Sequence, residues 1–157
     1  MRKLADVREL LGFVPWYYSI PPKNKGYEQA WTQVMDTDGF YAPYGLTTAE
    51  QRHPKFKIAY QGHECQWNGP SWPYATAQTL TALAKVIQDY PQKVISRADY
   101  LNLFTIYTKS HTRQKKNGTI VPWIDENLNP YSGDWLSRTM LLKDSTGFNE
   151  RGKDYNH

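Results

Sequence analysis

The sequence predicts an all-α protein whose helices are joined by long, aromatic-rich loops. Apolar residues recur at helical spacing in several segments, whereas the two-residue alternation typical of strands is nearly absent. Residues 40–70 have no sustained period, which makes this segment much longer than an ordinary connection. Such loops are usually functional or disordered, and the aromatic, proline and glycine content here favours function.

The first third of the chain predicts two short helices around an extended segment. Residues 5–11 have the pattern of the end of a helix. Residues 14–22 are bounded by prolines and predict an extended loop. Residues 27–35 form the next helix, because apolar residues follow the i, i+3, i+4, i+7 pattern of one helix face at Tyr27, Ala30, Trp31 and Val34.

Two longer helices are predicted in the middle of the chain. Ser71 can cap a helix over residues 72–89, with Pro73 in its first turn. Ser96 and Asp99 form a variant of the capping box and open a helix over residues 97–112. The buried face expected for this second helix consists of Tyr100, Leu103, Phe104 and Tyr107.

The last part of the chain predicts a turn, a short extended segment and one more helix. Asn117-Gly118 is a turn signal, and residues 119–123 are rich in residues that favour extended backbone. Ser132 is placed to cap a helix over residues 133–143. We therefore expect helical hairpins whose loops build a site at one end.

Size and composition predict one folded unit, residues 1–157. Aromatic residues make up 15% of the chain, with 6 Trp and 12 Tyr. Disordered chains are poor in aromatics, so the low mean hydropathy does not indicate disorder here. An excess of Trp and Tyr indicates amphipathic surfaces, as in ligand clefts.

The charge pattern argues against nucleic-acid and membrane partners. The net charge of +4 is spread evenly, and the one basic cluster, residues 113–116, is interpreted as a solvated helix end. No apolar run approaches the length of a membrane span, and the charged N-terminus is not a signal peptide. Cys65 has no second cysteine to pair with, so the redox compartment and the localisation stay undetermined.

No metal or cofactor is predicted. His53 and His63 lack a third partner at metal-ligand spacing. Cys65 has no base and orienting group in a pattern that would make it a nucleophile. The chain also has no glycine loop of the kind that binds phosphates.

The most informative stretch is residues 64–74, in which two tryptophans and a tyrosine alternate with amides and a carboxylate. Flat aromatic faces can stack on pyranose rings, while amides and carboxylates can bind sugar hydroxyls. The alternative is a structural helix start, with Trp67 and Trp72 buried and the amides capping backbone groups. Composition alone does not decide between these two interpretations.

A second candidate segment, residues 121–133, carries the carboxylate pair Asp125 and Glu126 beside Trp123. Glycoside hydrolysis uses two carboxyl groups, one that protonates the leaving oxygen and one that activates water or attacks. A glutamate beside an aromatic wall suits either role, because partial burial tunes its pKa. The alternative is that both carboxylates are solvated loop residues.

Together these motifs resemble the six-hairpin glycosidases related to family 63 α-glucosidases and family 37 trehalases. Gln66-Trp67-Asn68-Gly69-Pro70-Ser71-Trp72-Pro73 resembles the second signature of that group, and Glu126-Asn127-Leu128-Asn129-Pro130 with Gly133 resembles the motif that carries its general base. Residues 41–50 and 149–157 are similar to segments of its bacterial branch, which is often labelled mannosylglycerate-hydrolase-like.

The resemblance implies an (α/α)6 toroid and an inverting mechanism on α-glucosidic or α-mannosidic bonds. Glu126 would then be the general base that deprotonates the attacking water. The residues expected to bind the sugar are Gln66, Trp67, Asn68 and Trp72, with Trp123, Asp154 and His157 as candidates for the pocket wall. The expected partner is an oligosaccharide or glycoside substrate.

One part of the family pattern is missing from this sequence. The family's general acid is an aspartate in a motif upstream of residue 64, and no such motif occurs here. Glu50 and Glu64 are the upstream carboxylates near recognised segments. We therefore expect part of a barrel, with apolar faces that favour self-association or packing on the missing half.

Two other classes remain open at this stage. A non-catalytic sugar-binding module would have the aromatics without a working acid–base pair. A structural or interaction domain would use the same aromatics as core.

Overall fold

A computed structural model describes residues 5–58, 67–115, 117–124 and 126–136, and what it describes is mostly helical. The elements, in order, are a 3₁₀ helix at Leu10–Phe13, α1 at Val14–Tyr17, a second 3₁₀ helix at Tyr27–Val34, α2 at Pro73–Asp89, α3 at Arg97–Ser110, β1 at Thr112–Gln114 and β2 at Ile120–Pro122. Within the described ranges the strands are two three-residue segments of one hairpin. The all-α prediction is therefore confirmed.

The first helical segment lies later in the chain than predicted. Residues 10–17 are helical, whereas the sequence pattern placed a helix at 5–11 and an extended loop from 14 onwards. Pro15 misled the prediction because a proline in the first turn of a helix breaks no hydrogen bond. Leu10, Phe13 and Trp16 point into the core from this segment.

The helix predicted at residues 27–35 exists as a 3₁₀ helix over Tyr27–Val34. Its three-residue turn aligns Glu28, Trp31 and Val34 on the buried face, while Tyr27 is exposed. The predicted face assumed 3.6 residues per turn and therefore included Tyr27 and Ala30 wrongly.

Helix α2 has the predicted length but a different start. Trp72 is its N-cap residue, with no side-chain cap, and Pro73 occupies the first turn as predicted. Ser71 is not the cap: its N–H and C=O pair with the backbone of Leu128. Ser71 therefore does not cap the helix but forms a long-range backbone pair with Leu128.

Helix α3 begins with the predicted capping box. The Asp99 N–H donates to Ser96 Oγ, and the Ser96 N–H donates to Asp99 Oδ2 at 2.8 Å. Of the four residues predicted to be buried, Leu103 is buried and Phe104 is exposed, whereas Tyr100 and Tyr107 are half-buried.

A small hairpin follows α3. Strands β1 and β2 pair antiparallel, with Arg113 opposite Val121, and Asn117-Gly118 lies between them. The basic cluster that begins at Arg113 therefore starts on a strand, and its interpretation as a helix end was wrong. The extended segment predicted at 119–123 is confirmed at Ile120–Pro122.

The final predicted helix lies largely outside the described residues. Residues 133–135 are not helical, because Trp135 bridges Leu128 antiparallel. Ser132 does not cap at this position; its hydroxyl donates to Asp134 Oδ2 within a turn.

The core is an aromatic cluster between the N-terminal segment and α2. The Phe13 ring lies 4.4 Å from the Trp31 ring, and the Trp16 ring meets Trp31 edge-on at 5.8 Å. Leu83 and Val86 of α2 are fully buried against this cluster. Among the described residues, no helix is long and apolar enough to cross a membrane.

Candidate active site

Backbone pairing joins the two segments that the sequence singled out. The Ser71 N–H donates to the Leu128 C=O at 3.0 Å, and the Leu128 N–H donates back to the Ser71 C=O at 2.9 Å. Thr47 bridges Ser71 on its other side. The start of α2 and the Glu126 loop are therefore held together, although 57 positions separate Ser71 from Leu128.

The two tryptophans at the start of α2 are stacked. Their ring centroids are 4.3 Å apart, with 28° between the planes. Trp72 is 4% exposed and belongs to the core, whereas Trp67 is half-buried and packs against the core from outside. Trp67 is thus the more exposed ring of the pair, and Trp72 supports it from the core.

The two residues after Trp67 form contacts with the backbone of residues 55–57. Asn68 Nδ2 donates to the Lys55 C=O at 2.9 Å, and the Lys57 N–H donates to the Asn68 C=O at 3.0 Å. Gly69 lies so close to this strand-like contact that an added Cβ would be 1.9 Å from the Lys57 carbonyl oxygen. The structural interpretation of this stretch is therefore confirmed for the Asn68 amide nitrogen, which donates to the backbone.

Glu126 is 5% exposed, and the side chain of the adjacent Asn127 is completely buried. Within the structure as described, neither Asn127 Nδ2 nor Oδ1 has a hydrogen-bond partner. The Leu136 N–H donates to the Asn127 C=O at 3.0 Å, which fixes the loop backbone. The carboxylate is therefore held in a largely desolvated position, unlike the solvated loop residue of the alternative interpretation.

The backbone of Trp123 is attached to the end of α3. Its N–H donates to the His111 C=O at 2.8 Å, at the C-terminal end of α3. The His111 ring in turn meets the Tyr107 ring edge-on at 4.4 Å. Trp123 remains close in sequence to Glu126, but this hydrogen bond ties it to α3 and the hairpin.

Several predicted site residues lie outside the described residues. They are Gln66, Asp125, Asp154 and His157, together with Glu64, His63 and Cys65. Their expected roles stay predictions. In the described part of the chain, no group of three or more His, Cys, Asp or Glu residues is arranged to bind a metal ion.

Glu50 is positioned as a structural carboxylate. Its Oε1 accepts from the Arg8 N–H at 2.9 Å, its Oε2 accepts from Arg8 Nη1 at 2.7 Å, and Arg52 Nε lies 3.5 Å away. Burial raises the pKa of Glu50, but these donors and charges outweigh burial and lower the pKa below its usual value. A group held ionised in this way is unsuited to be a general acid.

The site contains residues that the sequence analysis did not assign. The Tyr44 N–H donates to the Pro130 C=O at 2.9 Å, which attaches residues 41–50 to the Glu126 loop. The Tyr131 hydroxyl donates to Gln51 Oε1 across the same contact, and burial raises the pKa of Tyr131. The sequence did indicate that residues 41–50 matter, because they are similar to glycosidase segments. That similarity did not indicate what Tyr44 does.

Comparisons with known proteins show the family of the chain. The profile of the mannosylglycerate hydrolase MGH1-like glycoside hydrolase domain matches residues 2–157, so the chain belongs to this glycoside hydrolase family. A solved structure named sialidase is 46% identical, with a TM-score of 0.74, and the match covers 84% of this chain. It covers 12% of the sialidase-named chain, so this chain spans about an eighth of that protein's length. A search of curated proteins found no match.

Proposed function

We propose that this chain forms part of an inverting glycoside hydrolase of the (α/α)6 type, with Glu126 as its general base. The observation that carries the proposal is the Ser71–Leu128 backbone pair, which holds the buried Glu126 loop against the start of α2 beside Trp67. Membership of the MGH1-like family supports hydrolysis of a glycosidic bond.

The proposed role of Glu126 follows from inverting chemistry. Glu126 accepts a proton from a water molecule as that water attacks the anomeric carbon, and a separate carboxylic acid donates a proton to the leaving oxygen. The buried position of Glu126, which is 5% exposed, favours this role because it shields the reacting water from bulk solvent. Trp67 would stack on the sugar ring and Trp72 would keep the Trp67 ring in place.

The substrate is proposed to carry an α-mannosidic or α-glucosidic bond. The family description names a mannosylglycerate hydrolase, which favours α-mannosides of the two. The word sialidase belongs to a chain of which 12% is matched, and we propose no action on sialic acid.

Replacement of Glu126 by Gln tests the proposal. In the protein that contains this chain, Glu126→Gln should reduce turnover of α-mannosides or α-glucosides at least about a hundredfold, because general base catalysis contributes about 10²–10⁴-fold. Sugar binding should persist. Asp134→Asn is the matched control, since Asp134 is an exposed carboxylate on the same loop. Undiminished turnover in Glu126→Gln, or release of the α-anomer first, would contradict the proposal.

A non-catalytic sugar-binding module, or a truncated remnant of a hydrolase, is the second candidate. Glu50 favours it, because Arg8 and Arg52 hold this upstream carboxylate ionised, which makes it unsuited to replace the missing acid. Trp fluorescence titrations with oligosaccharides, combined with an assay for reducing sugar, separate the candidates. Binding without sugar release supports the module.

A further inference from the structure

Tyr44 lies where the two motifs of the candidate site meet. Its N–H donates to the Pro130 C=O at 2.9 Å, four positions after Glu126. The next residue, Gly45, approaches the start of α2 so closely that an added Cβ would lie 2.2 Å from Ser71 Oγ. The Tyr44 backbone is therefore wedged between Ser71 and the Glu126 loop.

The Tyr44 ring is fixed on one side and open on the other. A Cβ added at Gly133 would lie 2.5 Å from Tyr44 Cδ1 and 2.9 Å from Cε1, so the ring packs directly on the glycine backbone. Nevertheless 45% of Tyr44 is exposed. An aromatic surface that is already ordered loses little conformational entropy when a ligand binds, which is what an efficient stacking surface requires.

Resting on the proposed function, we propose that Tyr44 is a second sugar-stacking residue, which binds the pyranose unit next to the one held at Trp67 and Glu126. Four residues of chain span at most about 14 Å. The backbone of Tyr44 is hydrogen-bonded at the far end of that span, so a substrate of two or more sugar units reaches from Glu126 to Tyr44. A monosaccharide glycoside does not need this contact.

Two glycines define the surroundings of Tyr44. Gly45 has φ +149° and Gly133 has φ +77°, and neither has space for a side chain, because an added Cβ would collide with Ser71 Oγ or with the Tyr44 ring. Gly133 belongs to the motif of the Glu126 loop. The position of the Tyr44 ring is thus set by the same loop that carries the proposed base.

The test compares substrates of different length in the protein that contains this chain. Wild type, Tyr44→Ala, Tyr44→Phe and Tyr44→Trp are titrated calorimetrically with methyl α-D-mannopyranoside, methyl α-D-glucopyranoside, an α-mannotriose and maltotriose. We expect Tyr44→Ala to weaken trisaccharide binding by about three- to tenfold, as for the loss of one aromatic contact, and to change glycoside binding less than twofold. The Phe and Trp variants should retain the trisaccharide affinity.

Tyr27→Ala is the matched control, because Tyr27 is an exposed tyrosine of the second 3₁₀ helix. It should leave all four affinities unchanged. Equal losses for short and long ligands in Tyr44→Ala, or an unchanged trisaccharide affinity, overturn the role of Tyr44 while the proposed function stands. If wild type binds none of the four sugars, the proposed function fails and the Tyr44 inference fails with it.

Discussion

The ring of Trp67 lies over the ring of Trp72, and only the second ring is fully buried. The sequence presents both as equal members of one aromatic cluster, because composition does not show which face of a ring the rest of the chain covers. The structure separates them into an outer ring, which is half-buried, and an inner ring, which belongs to the core.

Because Trp67 is the outer ring and Trp72 the inner one, their alanine variants should differ in which property they lose. Trp67→Ala should weaken oligosaccharide binding by about tenfold or more, because tryptophan contacts are often dominant in recognition, with a smaller effect on folding. Trp72→Ala should lower the free energy of unfolding by about 3–5 kcal/mol, as for other buried Trp deletions. Titration calorimetry and urea denaturation measure the two effects. If both variants lost only stability, the aromatics would be purely structural.

The ion pair of Glu50 with Arg8 predicts how the stability of the protein depends on pH. The pKa of Glu50 is lowered in the folded protein, so its contribution to stability is present above the unfolded-state pKa and is lost as the pH falls through the folded-state pKa. Glu50→Gln should therefore unfold at a lower urea concentration at neutral pH. The gap between the variant and wild type should narrow as the pH falls below about 4.5, the ordinary value for a glutamate.

Glu9→Gln is the control for Glu50, since Glu9 is exposed and close in sequence to Arg8. It should follow the wild-type curve. A gap between Glu50→Gln and wild type that stays constant from neutral to acid pH would show that Arg8 does not stabilise the ionised carboxylate.

At the scale of elements, the sequence predicted correctly those features that depend only on neighbouring residues. The Ser96–Asp99 capping box and Pro73 in the first turn of α2 are determined within four residues, and both appear where expected. Ser71 failed as a cap because its backbone is occupied by Leu128, a contact that no local pattern reveals. Phe104 was assigned to the core for a similar reason: periodicity shows which residues share a face, but not which faces are covered.

The turn at Gly133 offers a test of how the Glu126 loop is shaped. Gly133→Ala places a Cβ 2.5 Å from the Tyr44 ring at φ +77°, a backbone conformation that costs an L-residue about 1–2 kcal/mol. We expect a lower free energy of unfolding by more than that amount, together with weaker sugar binding, because the ring must move. Thermal or urea denaturation and titration calorimetry provide the two readouts.

Two other glycines separate strain from the collision with Tyr44. Gly26 has a similar φ of +76° with open space around it, so Gly26→Ala reports backbone strain alone. Gly12 has open space and no positive φ, so Gly12→Ala should be nearly neutral. If Gly133→Ala were no more destabilising than Gly26→Ala, then the close packing of Tyr44 would contribute nothing.

At the scale of the whole molecule, helix α3 presents an apolar face that nothing in the described structure covers. Leu101 is 62% exposed and Phe104 is 44% exposed, and they lie one turn apart. Tyr100 stacks on Phe104 with 10° between the rings. Beside them, a cleft of about 300 Å³ between α2 and α3 is lined by Ala84, Ile87 and Leu101. Exposed apolar patches of this kind mark interaction surfaces.

We therefore predict that the 157-residue chain associates with itself through α3 when it is isolated. Replacement of Leu101 and Phe104 by lysine should shift it toward the monomer in sedimentation velocity experiments, because two buried apolar contacts are lost and two like charges are added. The control pair is Tyr18→Lys with Ile20→Lys, since both residues are also exposed and apolar but lie after α1. Equal dissociation by both pairs would point to nonspecific association, and a wild-type monomer at every concentration would show that the α3 face needs no cover.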